Sequence, residues 1–362
     1  MAKLRVGLIF GGRSVEHEVS IASATSVLKA LDPARYEVMP IRVENDGRWF
    51  VTSPGPPDQI GGVGEVIQPQ AIPGEGLVSC GDQGAGTKRL EIDVVFSVIH
   101  GRGGEDGALQ GLFELAELPY VGSGVLGSAI QMDKEVAKRL LHAAGLPVTP
   151  WVSLSASEIH DARTRQRILD NLPFPIFVKP ANSGSSVGIS RVDEQDGLIS
   201  ALNDAARYDT KLLVEQGIDA RELEVAILGN GPYEASVVGE ILTEHAFYDY
   251  EAKYIEESTN LVVPATLSQR QADALREMAT DAAGVLEGAG LARVDFLLER
   301  NGDGCYINEI NSIPGFTESS MYPRLWEASG LAYPALLDRI IELAFDRHAA
   351  RSNLETLYRR GS

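Results

Sequence analysis

The chain has 362 residues, 44% of them hydrophobic and 23% charged, the balance of a soluble globular protein with two or three cores. A formal net charge of −19 argues against nucleic acid or an anionic membrane as partner, because both select a basic face. No run reaches the roughly 20 apolar residues of a membrane span, and Met1-Ala-Lys-Leu-Arg leads straight into a strand rather than an apolar leader. Cys80 and Cys305 have neither a disulfide-framework nor a zinc spacing, so a reducing, cytoplasmic setting is expected.

Residues 4–10 read as a short apolar strand running into Gly11-Gly12-Arg13-Ser14. An amphipathic helix follows to about Leu31, with Ser14 as its N-cap and Glu16 in its first turn. Residues 36–43 form a second strand. Residues 52–90, rich in Gly and Pro, predict an irregular excursion with one or two short strands. Residues 93–99 form a buried strand feeding His100-Gly-Arg-Gly-Gly-Glu-Asp-Gly107, then a helix to about Leu118. Strand, glycine-rich turn and helix in succession predict a parallel, Rossmann-like N-terminal unit.

Asp133 caps a helix that ends at Gly145, with Pro147 just beyond. Residues 174–180 form a strand carrying Lys179, followed by a polar turn at 182–188. Residues 211–216 and 222–228 are further strands. Residues 243–260 carry an aromatic, charged loop, Phe247-Tyr-Asp-Tyr-Glu-Ala-Lys253-Tyr254, of a kind that often covers a reacting centre. A long helix spans 268–289. The last dozen residues turn basic without core periodicity and read as a tail. There is no internal repeat.

The most informative chemistry lies in Arg293-Val-Asp295 and Asn308-Glu309-Ile-Asn311-Ser-Ile-Pro314-Gly315, set in two strand-like runs joined by Asn301-Gly-Asp-Gly304. Side chains alternate faces along a strand, so Arg293 and Asp295 share a face, as do Glu309 and Asn311. Whether all four coincide depends on the turn. A three-residue loop sets Asp295 across from Asn311, whereas a two-residue loop splits the pairs between faces. On the favourable register this cluster suits Mg²⁺ shared with nucleotide phosphates.

No Walker segment and no dinucleotide G-x-G-x-x-G is present, which disfavours a P-loop protein or a nicotinamide enzyme. The remaining phosphate device is Lys179-Pro-Ala-Asn-Ser-Gly184-Ser185-Ser186-Val-Gly188, otherwise a plain hairpin loop. A lysine in a buried strand needs an anionic partner such as phosphate, which favours the first alternative. Lys134 is a second candidate cation. Glu215 and Glu222 flank a bend, where carboxylates can accept from a ribose or face water. Glu16 and His100 sit at strand ends, where ligand crevices of open α/β sheets lie, although a helix-start carboxylate and a lone histidine are commonly structural. Backbone N–H groups before the helix that follows Gly315-Phe-Thr-Glu-Ser-Ser320-Met321 can hold a carboxylate.

Taken together, the segments 11–20, 100–107, 184–188, 247–254 and 309–315 resemble those of D-alanine–D-alanine ligases of the ATP-grasp superfamily, in the family's order and over residues 4–345. The resemblance implies an α/β and α+β chain in three domains: a Rossmann-like N-terminal domain at 1–122, a central ATP-grasp domain at 123–216, and a C-terminal ATP-grasp domain at 217–348 with the metal hairpin. Residues 349–362 would be the tail. It implies ligation of two D-alanine molecules through a D-alanyl phosphate, using ATP and two Mg²⁺, for which Mn²⁺ can substitute. It further implies a homodimer and a role in peptidoglycan precursor synthesis.

By the same resemblance, Glu16 holds the first D-alanine's ammonium and bonds Ser185 and Tyr254, and His100 is a substrate-side residue. Arg293 and the Gly315 N–H stabilise the oxyanion. Ser320, the Met321 N–H and Lys253 take the second carboxylate, with Met321 replacing a more usual leucine. Lys134, Lys179, Ser185, Ser186 and Lys253 face ATP phosphates, and Glu215 and Glu222 its adenine and ribose. Asp295, Glu309 and Asn311 are the metal ligands. Relatives that make D-alanyl-D-lactate replace the 247–254 loop or lose its tyrosine, so Tyr254 favours an amine as second substrate. The rivals are a D-alanine–D-serine ligase, a nucleotide-binding regulator without turnover, and a Rossmann dehydrogenase.

Overall fold

The computed structural model describes residues 2–52, 64–74, 76–80, 87–242, 260–302 and 304–355. Strand β1 (Leu4–Gly11) leads through helix α1 (His17–Ala30) to β2 (Tyr36–Val43), which lies parallel to it with Leu4 beside Tyr36 and Gly11 beside Val43. Strands β3 (Trp49–Val51) and β4 (Glu65–Ile67) extend one edge, and β8 (Val94–Ser97) the other, in the order β4-β3-β2-β1-β8. The expected Rossmann-like crossover is therefore present. Ser14 is not the cap of α1: the N-cap position is Glu16, and the Ser14 hydroxyl instead donates to the His100 carbonyl at 2.9 Å. That bond ties together the two glycine-rich turns at the strand ends.

The segment 52–90 holds more structure than its composition predicts. Besides β4 it contains β5 (Pro69–Ile72), β6 (Gly76–Cys80) and β7 (Thr87–Arg89), which pair as a separate antiparallel sheet. Its anchor is tertiary: Leu77 is fully buried in a cluster with Phe113 of helix α2 (Ala108–Leu115) and Leu118 just beyond it. Turn-forming composition reports local freedom and misses that anchor.

Helices α3 (Val125–Met132) and α4 (Lys134–Ala143) follow, and the Asp133 carboxylate caps α4 by accepting the Val136 N–H at 3.1 Å. Beyond them β9 (Trp151–Ser155), α5 (Ala162–Asn171), β10 (Ile176–Pro180), β11 (Ser190–Val192), α6 (Leu198–Ala205) and β12 (Lys211–Gln216) form a central layer with sheet order β11-β10-β12-β9. This layer has its own core around Ile168, Ile176, Leu202 and Val214.

The third layer comprises β13 (Ala220–Gly229), β14 (Glu234–Leu242), β15 (Asn260–Val262), α7 (Gln269–Val285), β16 (Gly290–Glu299) and β17 (Cys305–Asn311), in sheet order β15-β14-β13-β16-β17. Ser268 and Gln271 start α7 with a reciprocal capping box. Ala137 and Leu141 of α4 lie in this layer's core with Leu223, Leu275 and Phe296, and Val148 bridges to Ile307. Residues of the 125–148 segment thus contribute to the core beneath the C-terminal sheet.

The chain closes with α8 (Met321–Ala328) and α9 (Tyr333–Ser352). Their apolar faces share one core with the first sheet, in which Phe96 meets Phe316 edge to face at 5.8 Å. Tyr36 donates to Asp338 at 2.6 Å, and Arg347 lies 4.0 Å above the Tyr120 ring. Helix α9 runs past the expected end at 348, and Arg351 bonds Glu114 at 2.7 Å. The tail therefore begins later than charge alone suggests.

Candidate active site

A cleft of about 960 Å³ lies where the three layers meet. One wall is the edge of the C-terminal sheet. Across β16 and β17, Asp295 faces Glu309 and Arg293 faces Asn311, so all four side chains share the cleft face. The register corrects the expected pairing of Asp295 with Asn311. The ladder closes with the Glu299 N–H on the Gly304 carbonyl at 2.8 Å, so an even number of residues separates the closing pair. Counted from that even-numbered turn alone, Asp295 would oppose Asn308, and Glu309 would point into the core. A bulge at Asn308 shifts the register by one between Asp295 and Phe296 and returns Glu309 to the cleft. Ile307 and Ile310, now three apart, both remain buried.

The next strand inward continues both rows. Glu224 of β13 pairs with Asp295, so Glu224, Asp295 and Glu309 form a line of carboxylates across three strands. Like charges side by side on a sheet repel, and cations offset them here. Arg293 donates from Nε and an Nη to the two Asp295 oxygens, both at 2.7 Å, and its Nε lies 3.0 Å from a Glu224 oxygen. Asn311 donates to Asp295 at 2.9 Å, and the Lys134 ammonium lies 3.3 Å from Glu309. Burial opposes the Arg293 charge, but Asp295 and Glu224 outweigh it and hold the guanidinium protonated well above its ordinary range.

The opposite wall is the loop after β10. Lys134 also donates to the Ser183 carbonyl at 2.8 Å, bringing α4 under this loop. Ser185 and Ser186 adopt left-handed backbone conformations at φ 48° and 59°, uncommon for residues with a Cβ. The turn presents the Ser185 hydroxyl to the Glu16 carboxylate, which accepts its hydrogen bond. Glu16 is buried, and glycines crowd it on two sides. A Cβ on Gly184 would come within 2.7 Å of its carboxylate, and one on Gly101 within 2.9 Å.

Lys179 lines the cleft, but its expected anionic partner is met internally, by Glu215 at 2.7 Å. Glu215 also meets Lys138 at 3.3 Å, and Lys138 donates to the Thr149 hydroxyl at 2.7 Å. Burial resists the Glu215 charge, and the two lysines outweigh it, keeping the carboxylate below its usual range. Glu215 thus stands behind Lys179, engaged by two lysines. Glu222 lines the cleft.

His100 and the missed residue Glu105 clamp one residue, Ile313, through both of its backbone polar groups. The Glu105 carboxylate accepts the Ile313 N–H at 2.9 Å and the Ser312 hydroxyl at 3.1 Å. His100 Nδ1 donates to the Ile313 carbonyl at 2.9 Å, while Nε2 lies 3.3 Å from the Ser23 hydroxyl. His100 is thereby a clamp on the strand end leading to Gly315, with both ring nitrogens engaged by the protein. Burial raises the Glu105 carboxyl, an effect that the His100 charge opposes and Glu16 reinforces. Gly315, Ser320 and buried Met321 line the cleft at the start of α8, where the Ser320 hydroxyl accepts the Thr317 N–H at 3.1 Å. Lys253 and Tyr254 lie outside the described residues.

Three participants escaped the sequence reading. Glu105 sits in the glycine-rich turn already singled out, Lys138 lies one helical turn from Lys134, and Glu224 is one alternation from Glu222. Spacing could have flagged all three.

The donor set fits a divalent cation shared with phosphate. Among the described residues no three His, Cys, Asp or Glu side chains could hold a metal by themselves. Two carboxylates and one amide need outside oxygens to complete a shell, and phosphates supply them. Among the described residues, seven carboxylates line the cleft against four lysines and arginines, a balance that favours a polyphosphate arriving with its own cations.

Three layers around a cleft that sets a hard-oxygen hairpin against a lysine-backed Gly/Ser loop define an ATP-dependent ligase of the ATP-grasp fold. Two family models match, D-ala D-ala ligase N-terminus over residues 5–123 and D-ala D-ala ligase C-terminus over 140–342. The chain belongs to the D-alanine–D-alanine ligase family. It is 47% identical over 370 residues to D-alanine–D-alanine ligase A of Bradyrhizobium diazoefficiens, covering 98% of this chain and 99% of that one. It is similar to the solved D-alanine–D-alanine ligase of Coxiella burnetii (TM-score 0.84, 38% identity, 97% of each chain). It is also similar to the VanG D-Ala:D-Ser ligase of Enterococcus faecalis (TM-score 0.84, 32% identity, 95% of this chain and 100% of that one).

Proposed function

We propose that the protein joins two D-alanine molecules into D-alanyl-D-alanine while converting ATP to ADP and phosphate. A carboxylate oxygen of the first D-alanine attacks the γ-phosphorus, and the bond from phosphorus to the ADP oxygen breaks. The amine of the second attacks the resulting acyl phosphate. The tetrahedral intermediate expels phosphate and the amine gives up a proton. Activation is required because a carboxylate carries no adequate leaving group.

Glu16 receives the first ammonium, with Ser185 holding its carboxylate in orientation. Arg293 and the Gly315 N–H face the oxygen on which negative charge develops. Ser320 and the Met321 N–H, with Lys253, take the second carboxylate, and Tyr254 joins the Glu16–Ser185 pair when the loop covers the cleft. Lys134, Lys179, Ser185 and Ser186 meet the phosphates and Glu222 the ribose, while Glu215 acts from behind by holding Lys179. Asp295, Glu309 and Asn311 would hold two Mg²⁺, or Mn²⁺, which neutralise and align the phosphates when bound. The observation that carries this reading is the Glu16–Ser185 pair opening into the same cleft as the Arg293, Asp295, Glu309 and Asn311 face.

The domain division at 122/123 and 216/217, a homodimer, a cytoplasmic location and supply of a peptidoglycan precursor belong to the same proposal. A D-serine second substrate is the competing reading, since VanG shares the fold. Purified protein with ATP and Mg²⁺ should release phosphate with D-alanine and not with L-alanine, and the product should be the dipeptide by mass. Equal release with L-alanine would overturn the proposal. Faster mixed-dipeptide formation from D-alanine plus D-serine would favour the competitor.

A further inference from the structure

The loop that presents Ser185 is held at both ends by two consecutive residues, Tyr208 and Asp209, from the turn between α6 and β12. At its entry, one Asp209 oxygen accepts the Asn182 N–H at 2.8 Å and the Asn182 side-chain amide at 2.9 Å. The other oxygen accepts the Lys211 N–H at 3.2 Å, which fixes the carboxylate to the start of β12. Burial works against the Asp209 charge, but the hydrogen bonds from Asn182 and Lys211 outweigh it and hold the carboxyl below its ordinary range. At the exit, Gly188 turns with φ 75°, and a Cβ there would lie 2.5 Å from the Tyr208 ring and 2.9 Å from Pro180. The ring occupies the space that a side chain would need. Between the two ends, the Ser183 hydroxyl donates to the Val187 carbonyl at 3.1 Å and closes the neck of the loop.

We propose that Tyr208 and Asp209 are positioning residues for the cleft: together they hold the neck of the 182–188 loop so that Ser185 and Ser186 stay left-handed and the Ser185 hydroxyl stays on Glu16. This rests on the reading of Glu16 as the seat of the first ammonium. A left-handed residue with a Cβ is unfavourable by itself and persists where its surroundings over-determine it. Two such residues stand in succession at the tip, at φ 48° and 59°. Because both anchors come from one turn, the entry and the exit are fixed relative to each other as well as to the sheet. Releasing either end lets the neck widen and the tip relax, which turns the hydroxyl away from Glu16.

The test is steady-state kinetics of the full chain with ATP and D-alanine, resolving the KM of the first D-alanine from that of the second. Asp209→Ala should raise the first KM on the order of tenfold and change the second by less than about twofold. Tyr208→Leu should move the same constant in the same direction, and Asp209→Asn, which keeps one acceptor oxygen, should fall between. In a Ser185→Ala background Asp209→Ala should add no further rise, because the hydroxyl that it places is gone. An unchanged first KM in Asp209→Ala, an equal rise in both constants, or a further rise in the Ser185→Ala background overturns the proposal. Should Asp209→Ala not fold, Tyr208→Leu carries the same comparison, since that side chain is 39% exposed. If Ser185→Ala by itself leaves the first KM unchanged, the Glu16–Ser185 reading has failed, and this proposal falls with it.

Discussion

The Glu105 carboxylate accepts the Ile313 N–H at 2.9 Å and so joins the turn after β8 to the strand end that leads into Gly315. His100 holds the carbonyl of the same residue, so the N-terminal layer grips the two successive peptide groups that flank the Ile313 Cα. Glutamine at position 105 offers one acceptor oxygen where Gly101, Ser312 and Ile313 present three donors to two oxygens. Glu105→Gln should lower kcat by roughly 10–100-fold through displacement of the Gly315 N–H, with ATP affinity nearly unchanged. Steady-state kinetics beside nucleotide titration would check this, and an equal loss in both would refute it.

Gly184 leaves no room beside Glu16. A methyl group there would lie 2.7 Å from the carboxylate in a residue whose backbone is not left-handed, so the effect of Gly184→Ala is steric and aimed at one partner. Loss of the Ser185–Glu16 bond should raise KM for the first D-alanine by about tenfold, while melting temperature stays close to that of the unaltered protein. An unchanged KM would remove Glu16 from substrate binding.

Lys138 is 1% exposed, and burial lowers its ammonium's pKa, an effect Glu215 partly reverses. Lys138→Met removes one of the two lysines on a buried carboxylate and should cost about 3 kcal/mol of stability in denaturant unfolding. Adding Glu215→Gln should recover part of that loss, because the stranded charge is gone. A double variant less stable than the sum of the singles would contradict the ion cluster described here.

One carboxylate gives the first sheet an acid limit. Hydrogen bonding to Arg5 holds Asp93 below its ordinary range despite partial burial. A depressed carboxyl stabilises the fold above its unfolded value of about 4 and loses that contribution as pH falls through the folded value. Asp93→Asn should therefore melt below the unaltered protein by a constant margin from pH 5 to 8, and the margin should narrow below about pH 4. A margin that widens in acid would reverse the sign of the shift.

Much of this site was legible because strand alternation and glycine-rich turns leave local marks. The shared face of Arg293 and Asp295, the Ser185 turn and the Asp133 cap are all of that kind. The register was not, because the Asn308 bulge answers to Ile307 and Ile310 packing beneath it rather than to the turn. The two lysine partners of Glu215 were hidden for a similar reason: Lys138 arrives from another helix. The strands within 65–89 and the docking of residues 125–148 likewise depend on partners distant in the chain.

The core shared by the first sheet and helices α8 and α9 divides the molecule unequally. Phe10, Phe96, Phe316, Tyr322 and Leu337 belong to one apolar cluster, whereas the central layer keeps a separate one. The first and third layers should consequently open as one cooperative block, and the central sheet as another. Amide exchange would test this by giving β1 and α9 a common opening rate distinct from that of β10 and β12. The cleft then has a fixed jaw bearing Glu16, His100, Arg293 and Gly315, and a hinged jaw bearing Lys179 and Ser185. The Ser185–Glu16 bond is where the loop of the hinged jaw meets the N-terminal layer, so one hydroxyl would report whether the cleft is shut.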